Sequence, residues 1–88
     1  MGYAIKFDPR AVDELEKLGR EHQRRIVRFL RERLAPLDNP RSIGEALHGS
    51  LHSFWKYRVG TFRIICSIQD KVVTVLVVRI GHRREVYR

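Results

Sequence analysis

Basic and aromatic side chains alternate in the second half of this chain, a combination that suits a nucleic-acid-binding surface. Alternation along a strand places Lys56 and Arg58 on the same face, and Arg63 follows just beyond a short turn. Such cations hold phosphate groups, and aromatic rings stack on bases. The interleaved stretches are Trp55-Lys56-Tyr57-Arg58, Phe62-Arg63 and the segment from Arg83 to Tyr87. The same pattern is also typical of a solvated sheet face whose apolar partners point inward, and the residues alone leave both interpretations open.

The net charge of the chain indicates a polyanionic partner. Its 88 residues include 18 lysine and arginine residues against 10 aspartate and glutamate residues, which gives a net charge of +8. Residues 45–88 hold eight of the basic and three of the acidic residues, so +5 of that excess lies in this half. Nucleic acid and acidic protein or membrane surfaces are the partners that such a charge attracts.

Length and composition exclude several classes of protein. A chain of 88 residues predicts a single domain, residues 1–88, and is too short for a two-domain enzyme with a cofactor fold. The apolar fraction of 43% is enough for a core. The single cysteine, Cys66, excludes an internal disulfide and favours a reducing compartment. No apolar stretch reaches the length of about 18 residues that a membrane helix needs. The opening residues also lack a signal-peptide pattern, so we expect a cytoplasmic location.

Hydrophobic periodicity in the first half predicts one strand and two helices. A strand over residues 3–7 is followed by Asp8, which suits a helix cap, and by Pro9, which suits the first helical position. Gly19 is expected to end this helix, since glycine is common just beyond a helix C-terminus. Apolar residues at helical spacing predict a second helix from Arg20 to Leu34, so the two helices form a hairpin.

The second half predicts three strands joined by short turns. Residues 41–53 resemble a loop with one helical turn at Ala46-Leu47. The first of these strands begins at Phe54, and turns at Gly60-Thr61 and at Asp70-Lys71 separate it from the second and third. The third is an apolar, β-branched run over residues 72–80, which Gly81 is expected to break. The order β-α-α-β-β-β predicts an α+β fold, with the helical hairpin packed on a mostly antiparallel four-stranded sheet.

Five short motifs follow one another along the chain: Leu47-His48-Gly49, Trp55-Lys56-Tyr57-Arg58, Phe62-Arg63-Ile64-Ile65, Asp70-Lys71-Val72-Val73, and Ile80-Gly81-His82-Arg83 with Glu85-Val86-Tyr87. In their order and spacing these motifs resemble the RelE family, which belongs to a wider superfamily with the YoeB, HigB and ParE groups of toxins. The likeness covers nearly the whole chain, including the opening strand with its Phe7-Asp8 pair.

The resemblance implies a RelE-like fold and a specific activity. RelE toxins are ribosome-dependent endoribonucleases, or mRNA interferases, that enter the ribosomal A site and cut the mRNA codon there. They use no metal and no cofactor, since the 2′-hydroxyl of the substrate attacks its own phosphate. Such a reaction needs a base for the hydroxyl, cations for the developing negative charge and an acid for the leaving 5′-oxygen.

Five residues match the family's catalytic positions: Lys56, Arg58, Arg63, Arg83 and Tyr87. Lys56 would act as a base only in its neutral form, which the neighbouring Arg58 and Arg63 would favour. Arg58 stands where close relatives carry lysine and cannot be that base, because a guanidinium stays protonated. Arg63 and Arg83 offer bidentate donors to the scissile phosphate, and Tyr87 offers a ring that stacks on a base or orients the 2′-hydroxyl. Surface ion pairs for the arginines and edge packing for Tyr87 are the structural alternatives.

His82 lies beside the proposed site, and histidine is the residue type most often used as an acid or base near neutral pH, so a mechanism in which His82 has that role is a second option. YoeB-like relatives use a histidine close to this position. The other histidines, His22, His48 and His52, show no metal-ligand spacing with it and are interpreted as surface residues.

Two other functions compete with the ribonuclease. The chain could be a ParE-like inhibitor of DNA gyrase, which does not need the basic and aromatic set, or a decayed toxin that only binds its antitoxin. In each case a RelB-like antitoxin is the expected partner, with an acidic segment that wraps over the sheet and with operator DNA bound through the antitoxin. The ribonuclease hypothesis adds the ribosomal A site and mRNA as partners, and no hypothesis involves a membrane.

Overall fold

The computed structural model describes residues 2–47 and 54–82, in which two helices pack on a five-stranded sheet. The strands lie in the order β1-β5-β4-β3-β2, with β1 parallel to β5 and every other pair antiparallel. Their bounds are β1 Ala4–Phe7, β2 Glu45–Ala46, β3 Trp55–Val59, β4 Phe62–Gln69 and β5 Thr74–His82. The α+β fold and the mostly antiparallel sheet are therefore confirmed, with five strands where the sequence analysis expected four.

The helices begin where the sequence predicts, but Gly19 has a different role from the expected one. Helix α1 spans Pro9–Glu16, and the Asp8 carboxylate accepts a hydrogen bond from the amide of Arg10 at 3.1 Å. Helix α2 spans Arg20–Arg28 and continues as a π-helical segment over Phe29–Leu34. Gly19 precedes α2 as its N-cap with φ −63°, and α1 has already ended at Lys17. None of these helices is long and apolar enough to cross a membrane, as far as residues 2–47 and 54–82 show.

The fifth strand is the short β2, and it replaces the helical turn expected at Ala46-Leu47. Ala46 pairs with Trp55 on β3, and the amide of Leu47 donates to the carbonyl of Phe54 at 3.1 Å. Two residues are too few for a period to be read in the sequence. The strand forms because the neighbouring β3 supplies its hydrogen-bond partners.

The last strand differs from its expected bounds at both ends. Residues Asp70–Val72 form a 3₁₀ turn and Val73 adopts a left-handed conformation with φ 47°, so β5 begins at Thr74 rather than at Val72. At its other end β5 runs through Gly81 to His82, because both residues still pair with β4. The expected break at Gly81 is therefore wrong, while the turn at Gly60 is present with φ +62°.

The core lies between the helices and one face of the sheet. It buries the apolar side of α2 and its extension together with alternate residues of the three long strands. Its members with almost no exposure include Ile26, Leu30, Leu34, Tyr57, Ile64, Cys66, Val75 and Val77. Burial raises the pKa of the Cys66 thiol, so this cysteine is a core residue at neutral pH. On strands β3 and β4, the residues between core positions face the other side of the sheet.

A carboxylate on α1 supports an irregularity in β5. The register shifts between the pairs Ile65–Arg79 and Cys66–Val77, so β5 carries one extra residue at this point. The amide of Ile80 donates to Glu14 Oε1 at 2.8 Å, and Arg79 Nε lies 3.1 Å from Glu14 Oε2. Glu14 and Arg79 expose only 21% and 23% of their side chains, so this ion pair is partly shielded from water. Glu14 therefore attaches α1 to the bulge in the sheet.

Replacing Glu14 by alanine is expected to lower the free energy of unfolding by about 2 kcal/mol, because the bulge amide and Arg79 both lose their acceptor. Urea denaturation followed by circular dichroism measures this. Glu16→Ala, on the exposed side of the same helix, is the matched control and should change stability by less than about 0.5 kcal/mol. Equal effects of the two substitutions would contradict the role of Glu14.

A second polar cluster connects β1 to the turn before β5. Asp70 Oδ1 accepts hydrogen bonds from Arg41 Nη1 at 3.0 Å and from the Tyr3 hydroxyl at 2.8 Å. The hydrogen bonds from Arg41 and from Tyr3 lower the pKa of the Asp70 carboxyl below its usual value. The cluster joins three segments that are distant in sequence.

Acid is expected to remove the contribution of this cluster to stability. A carboxyl whose pKa is lower in the folded state stabilises the fold above its unfolded value of about 3.9 and loses that contribution as the pH falls through the folded value. The unfolding free energy of the wild type should therefore fall more steeply below about pH 4 than that of Asp70→Asn. Denaturation midpoints measured from pH 7 down to pH 2 test this, and parallel curves for the two proteins would contradict it.

Candidate active site

Three of the five residues expected at the active site lie together on the sheet face that points away from the helices. Lys56 and Arg58 are two residues apart on β3, with the core residue Tyr57 between them on the opposite face. Arg63 on β4 is the direct cross-strand partner of Arg58. Like charges placed directly opposite each other in a sheet are destabilising. The register therefore brings two guanidinium groups to one side of the sheet, an arrangement that suits an anionic ligand.

These side chains surround a cavity of about 150 Å³ that is lined by Gly44, Glu45, Lys56, Tyr57, Arg58 and Arg63. Pockets for drug-sized ligands have volumes of about 300–1,000 Å³, so this one suits a smaller group such as a phosphate. Arg63 is only 8% exposed, which holds its guanidinium in a well-defined position at the cavity wall. Arg58 is exposed and lies at the mouth. The arrangement provides fixed and mobile cations around one small anion.

Glu45 is a candidate site residue that the sequence analysis did not identify. It pairs in register with Lys56 across β2 and β3, and its Oε2 lies 3.5 Å from Lys56 Nζ. The Lys56 side chain is 19% exposed and that of Glu45 is 74% exposed, so the carboxylate faces the solvent side of the cavity. A signal was present in the sequence, because Glu45 is one of only three acidic residues in the basic second half.

The segment before Glu45 is held against β3 by two aromatic side chains. The Tyr57 hydroxyl donates to the carbonyl of Pro40 at 2.6 Å, and Trp55 Nε1 donates to the carbonyl of Ile43 at 2.7 Å. Burial raises the pKa of the Tyr57 phenol, so at neutral pH it is a protonated structural donor. These two bonds fix where β2 runs and therefore where the Glu45 carboxylate lies.

Gly44 permits this close approach. Its φ is +77°, and a Cβ at this position would lie 2.4 Å from the carbonyl oxygen of Lys56 and 2.8 Å from Trp55 Nε1. A side chain at residue 44 would therefore force the segment away from β3. The glycine thus positions Glu45 beside Lys56.

The structure does not bring His82 into the cavity. His82 pairs with Phe62 across β4 and β5, and the two rings lie 4.6 Å apart. Phe62 belongs to the core on the helix-covered side and also contacts the His22 ring at 4.8 Å. The imidazole of His82 is therefore on the face opposite to Arg63. Arg83 and Tyr87 lie outside the described residues, as do His48 and His52.

Comparison with known proteins gives one family and several close likenesses. Residues 5–87 match the family described as ParE toxin of type II toxin–antitoxin system, parDE. The sequence is 31% identical to Toxin RelG of Mycobacterium tuberculosis over all of this chain and 99% of that protein. It is 32% identical to mRNA interferase toxin RelE of Escherichia coli, over 99% of this chain and 92% of that protein.

Solved structures give the same result for the fold. The toxin–antitoxin complex RelBE2 of M. tuberculosis contains a chain with a TM-score of 0.86 and 28% identity, over 97% of this chain and 95% of that one. The isolated E. coli RelE toxin has a TM-score of 0.71 and 28% identity, over 97% of this chain and 90% of that one. Agreement in sequence and in fold extends over almost the whole chain.

Proposed function

This chain belongs to the RelE/ParE family and is a toxin of a type II toxin–antitoxin system, and we propose that it is a ribosome-dependent endoribonuclease that cuts mRNA in the A site. The observation that carries this proposal is the cavity in which Lys56, Arg58 and Arg63 meet the carboxylate of Glu45. It combines phosphate-binding cations with a proton acceptor in one small space. The relative from E. coli that is named an mRNA interferase supports the same activity.

The cations of the cavity serve the phosphate in this mechanism. The 2′-hydroxyl of one nucleotide attacks the phosphorus that follows it, and negative charge accumulates on the phosphate oxygens in the transition state. Arg63 offers two parallel N–H donors to these oxygens from a fixed position, and Arg58 closes on them from the mouth. Lys56 adds a third positive charge at the inner wall.

Glu45 is the base in this proposal. An arginine side chain does not give up its proton, and Lys56 Nζ is engaged in an ion pair with the Glu45 carboxylate. Among the described residues that line the cavity, the carboxylate of Glu45 is therefore the group suited to accept the proton of the 2′-hydroxyl. As the O2′–P bond forms, the P–O5′ bond breaks, water protonates the leaving 5′-oxygen, and Glu45 returns its proton to solvent. The products are a 2′,3′-cyclic phosphate and a 5′-hydroxyl.

Arg83 and Tyr87 complete the proposed site through the resemblance to RelE toxins. Arg83 would be a further donor to the scissile phosphate, and Tyr87 would stack on a base or orient the 2′-hydroxyl. Both follow the end of β5, which pairs with β4 beside Arg63, since Gly81 is the partner of Arg63. Strand β5 therefore ends one residue beyond the partner of Arg63.

Primer extension on mRNA from a defined ribosomal complex tests the proposed function. We expect new 5′ ends within the A-site codon when the purified toxin is added, and little or no cleavage of the same mRNA without ribosomes. Cleavage should persist when EDTA chelates the added metal and polyamines keep the ribosomes intact. Intact mRNA on programmed ribosomes would reject the proposal.

A ParE-like inhibitor of DNA gyrase is the second candidate, because the matching family is described by its ParE toxins. A gyrase inhibitor does not require a carboxylate among three cations, so the cavity favours the ribonuclease. A supercoiling assay distinguishes the two. Loss of gyrase activity with intact mRNA in a translation assay would favour the inhibitor, and a decayed toxin would do neither.

We also propose a RelB-like antitoxin as the partner that neutralises this toxin. The chain carries a net charge of +8, which an acidic antitoxin segment lying over the sheet would offset. The similar M. tuberculosis and E. coli structures include toxin–antitoxin complexes. Binding to operator DNA would then occur through the antitoxin.

A further inference from the structure

A basic groove lies beside the cavity of the proposed active site, between α2 and the turn that joins β3 to β4. It has a volume of about 350 Å³. Four arginines and two apolar side chains line it. The arginines are Arg25, Arg28, Arg33 and Arg58, and the apolar residues are Phe29 and Val59.

The groove has the composition of a site for single-stranded nucleic acid. Phe29 is half-buried and Val59 is buried, whereas the four arginines are exposed. Unpaired bases pack on aromatic and apolar surfaces while cations follow the backbone phosphates. A groove with a cationic rim and an apolar floor offers both contacts to one strand.

Most of the positive charge in the groove is not neutralised by the protein. Glu32 also lines it, and its Oε2 lies 3.7 Å from Arg28 Nε. Both side chains are highly exposed, at 69% and 74%, and exposed ion pairs of this kind are weak. One acidic residue against four basic ones leaves a net charge of +3 facing solvent.

The turn at Gly60 fixes one wall of the groove. Gly60 has φ +62°, and a Cβ at this position would lie 2.9 Å from Arg25 Nη1. The guanidinium of Arg25 therefore lies directly against the glycine backbone. This approach places a cation at the end of the β3–β4 hairpin.

Arg58 connects the groove to the cleavage cavity, since it lines both. On this basis, and resting on the proposed function, we propose that the groove binds the phosphodiester backbone of the RNA strand next to the cleaved bond. A strand whose scissile phosphate lies between Arg58 and Arg63 then continues past Arg58 to Arg25 and Arg33. The Phe29 surface receives an unpaired base of the same strand.

A double variant tests the groove against a matched control on the same helix. Arg25→Gln/Arg33→Gln removes two charges from the groove. Arg24→Gln/Arg31→Gln removes the same charge from the adjoining surface of α2 and its extension. Both arginines line a shallow depression there, which shares Arg28 and Glu32 with the groove but includes neither Arg25 nor Arg33. All four residues are exposed, so the folding of both variants is expected to be preserved, with circular dichroism as the check.

The probes are single-stranded RNAs of about three and about nine nucleotides, made uncleavable by a 2′-deoxy group at the scissile position. We expect the groove variant to bind the longer RNA about tenfold more weakly, with the salt dependence of log K reduced by about 1.4 for two lost phosphate contacts. The shorter RNA, whose scissile phosphate lies in the cleavage cavity but which does not extend along the groove, should bind almost as before. The control variant should retain the affinity of the wild type for both.

Several results would overturn this assignment. Failure of the wild type to bind the longer RNA, or equal losses in the two double variants, would show that no strand-binding groove exists. If the groove variant loses affinity only for vacant ribosomes, the groove binds ribosomal RNA instead. If it loses affinity only for the antitoxin, the groove binds an acidic protein instead. Primer extension on programmed ribosomes, run in parallel, separates these cases from failure of the proposed function, because the wild type must still cut mRNA when only the groove assignment is wrong.

Discussion

Glu45→Gln is expected to reduce mRNA cleavage on programmed ribosomes by about 10²–10⁴-fold, the range over which a positioned general base accelerates a reaction. The amide keeps the size of the side chain and the pairing of β2 with β3, but it cannot accept the proton of the 2′-hydroxyl. Single-turnover cleavage rates, measured by primer extension at saturating toxin, separate this loss from weaker ribosome binding.

Rescue with a small carboxylate gives the sharper test of the same residue. In Glu45→Ala the cavity opens toward solvent, because the wild-type side chain is already 74% exposed, so added formate or acetate should restore part of the rate. Glu16→Gln on α1 loses the same charge far from the cavity and should cleave like the wild type. Unchanged or faster cleavage by Glu45→Gln would show that the carboxylate only opposes phosphate binding.

Arg63→Met is expected to lower the cleavage rate by about 10²–10³-fold, the typical effect of removing one fixed donor to a developing negative charge. Arg63 is 8% exposed and belongs to the cavity wall, so its donors are already oriented when the phosphate arrives. Methionine retains most of the aliphatic volume. Cleavage rates and the circular dichroism spectrum together show whether chemistry is lost while the fold remains.

Arg63→Lys distinguishes geometry from charge at this position. Lysine keeps the positive charge but cannot make two parallel hydrogen bonds to a phosphate, so we expect a loss close to that of Arg63→Met. Arg10→Lys, at an exposed position on α1, is the control. Full activity of Arg63→Lys would mean that the site needs only a charge there.

The architecture was largely predictable because local signals and long-range packing agree. Asp8 and Pro9 mark the start of α1, and Gly60 supplies the positive φ of the β3–β4 turn. Errors occurred where tertiary contacts decided the outcome. The two residues 45–46 are too few to show a hydrophobic period in the sequence. They form β2 because β3 pairs with them.

The cations of the candidate site were predictable from the sequence, and its carboxylate was not. Strand alternation is a local property, so it places Lys56 and Arg58 on one face without knowledge of the fold. Glu45 is 11 residues from Lys56 in the sequence, and its position depends on Gly44 and on hydrogen bonds made by Trp55 and Tyr57. No periodicity connects these residues.

By itself, the sequence determined the order of strands and helices, the surplus of positive charge in the second half and the likeness to RelE toxins. Each of these depends only on residue types and on short spacings along the chain. The tertiary structure decided which charges meet. It paired Arg58 with Arg63 across two strands, brought Glu45 to 3.5 Å from Lys56 and set the exposed His82 ring against Phe62, on the face opposite to Arg63. Cross-strand register and the packing of a short segment set these distances, and both depend on contacts between residues that are far apart along the chain.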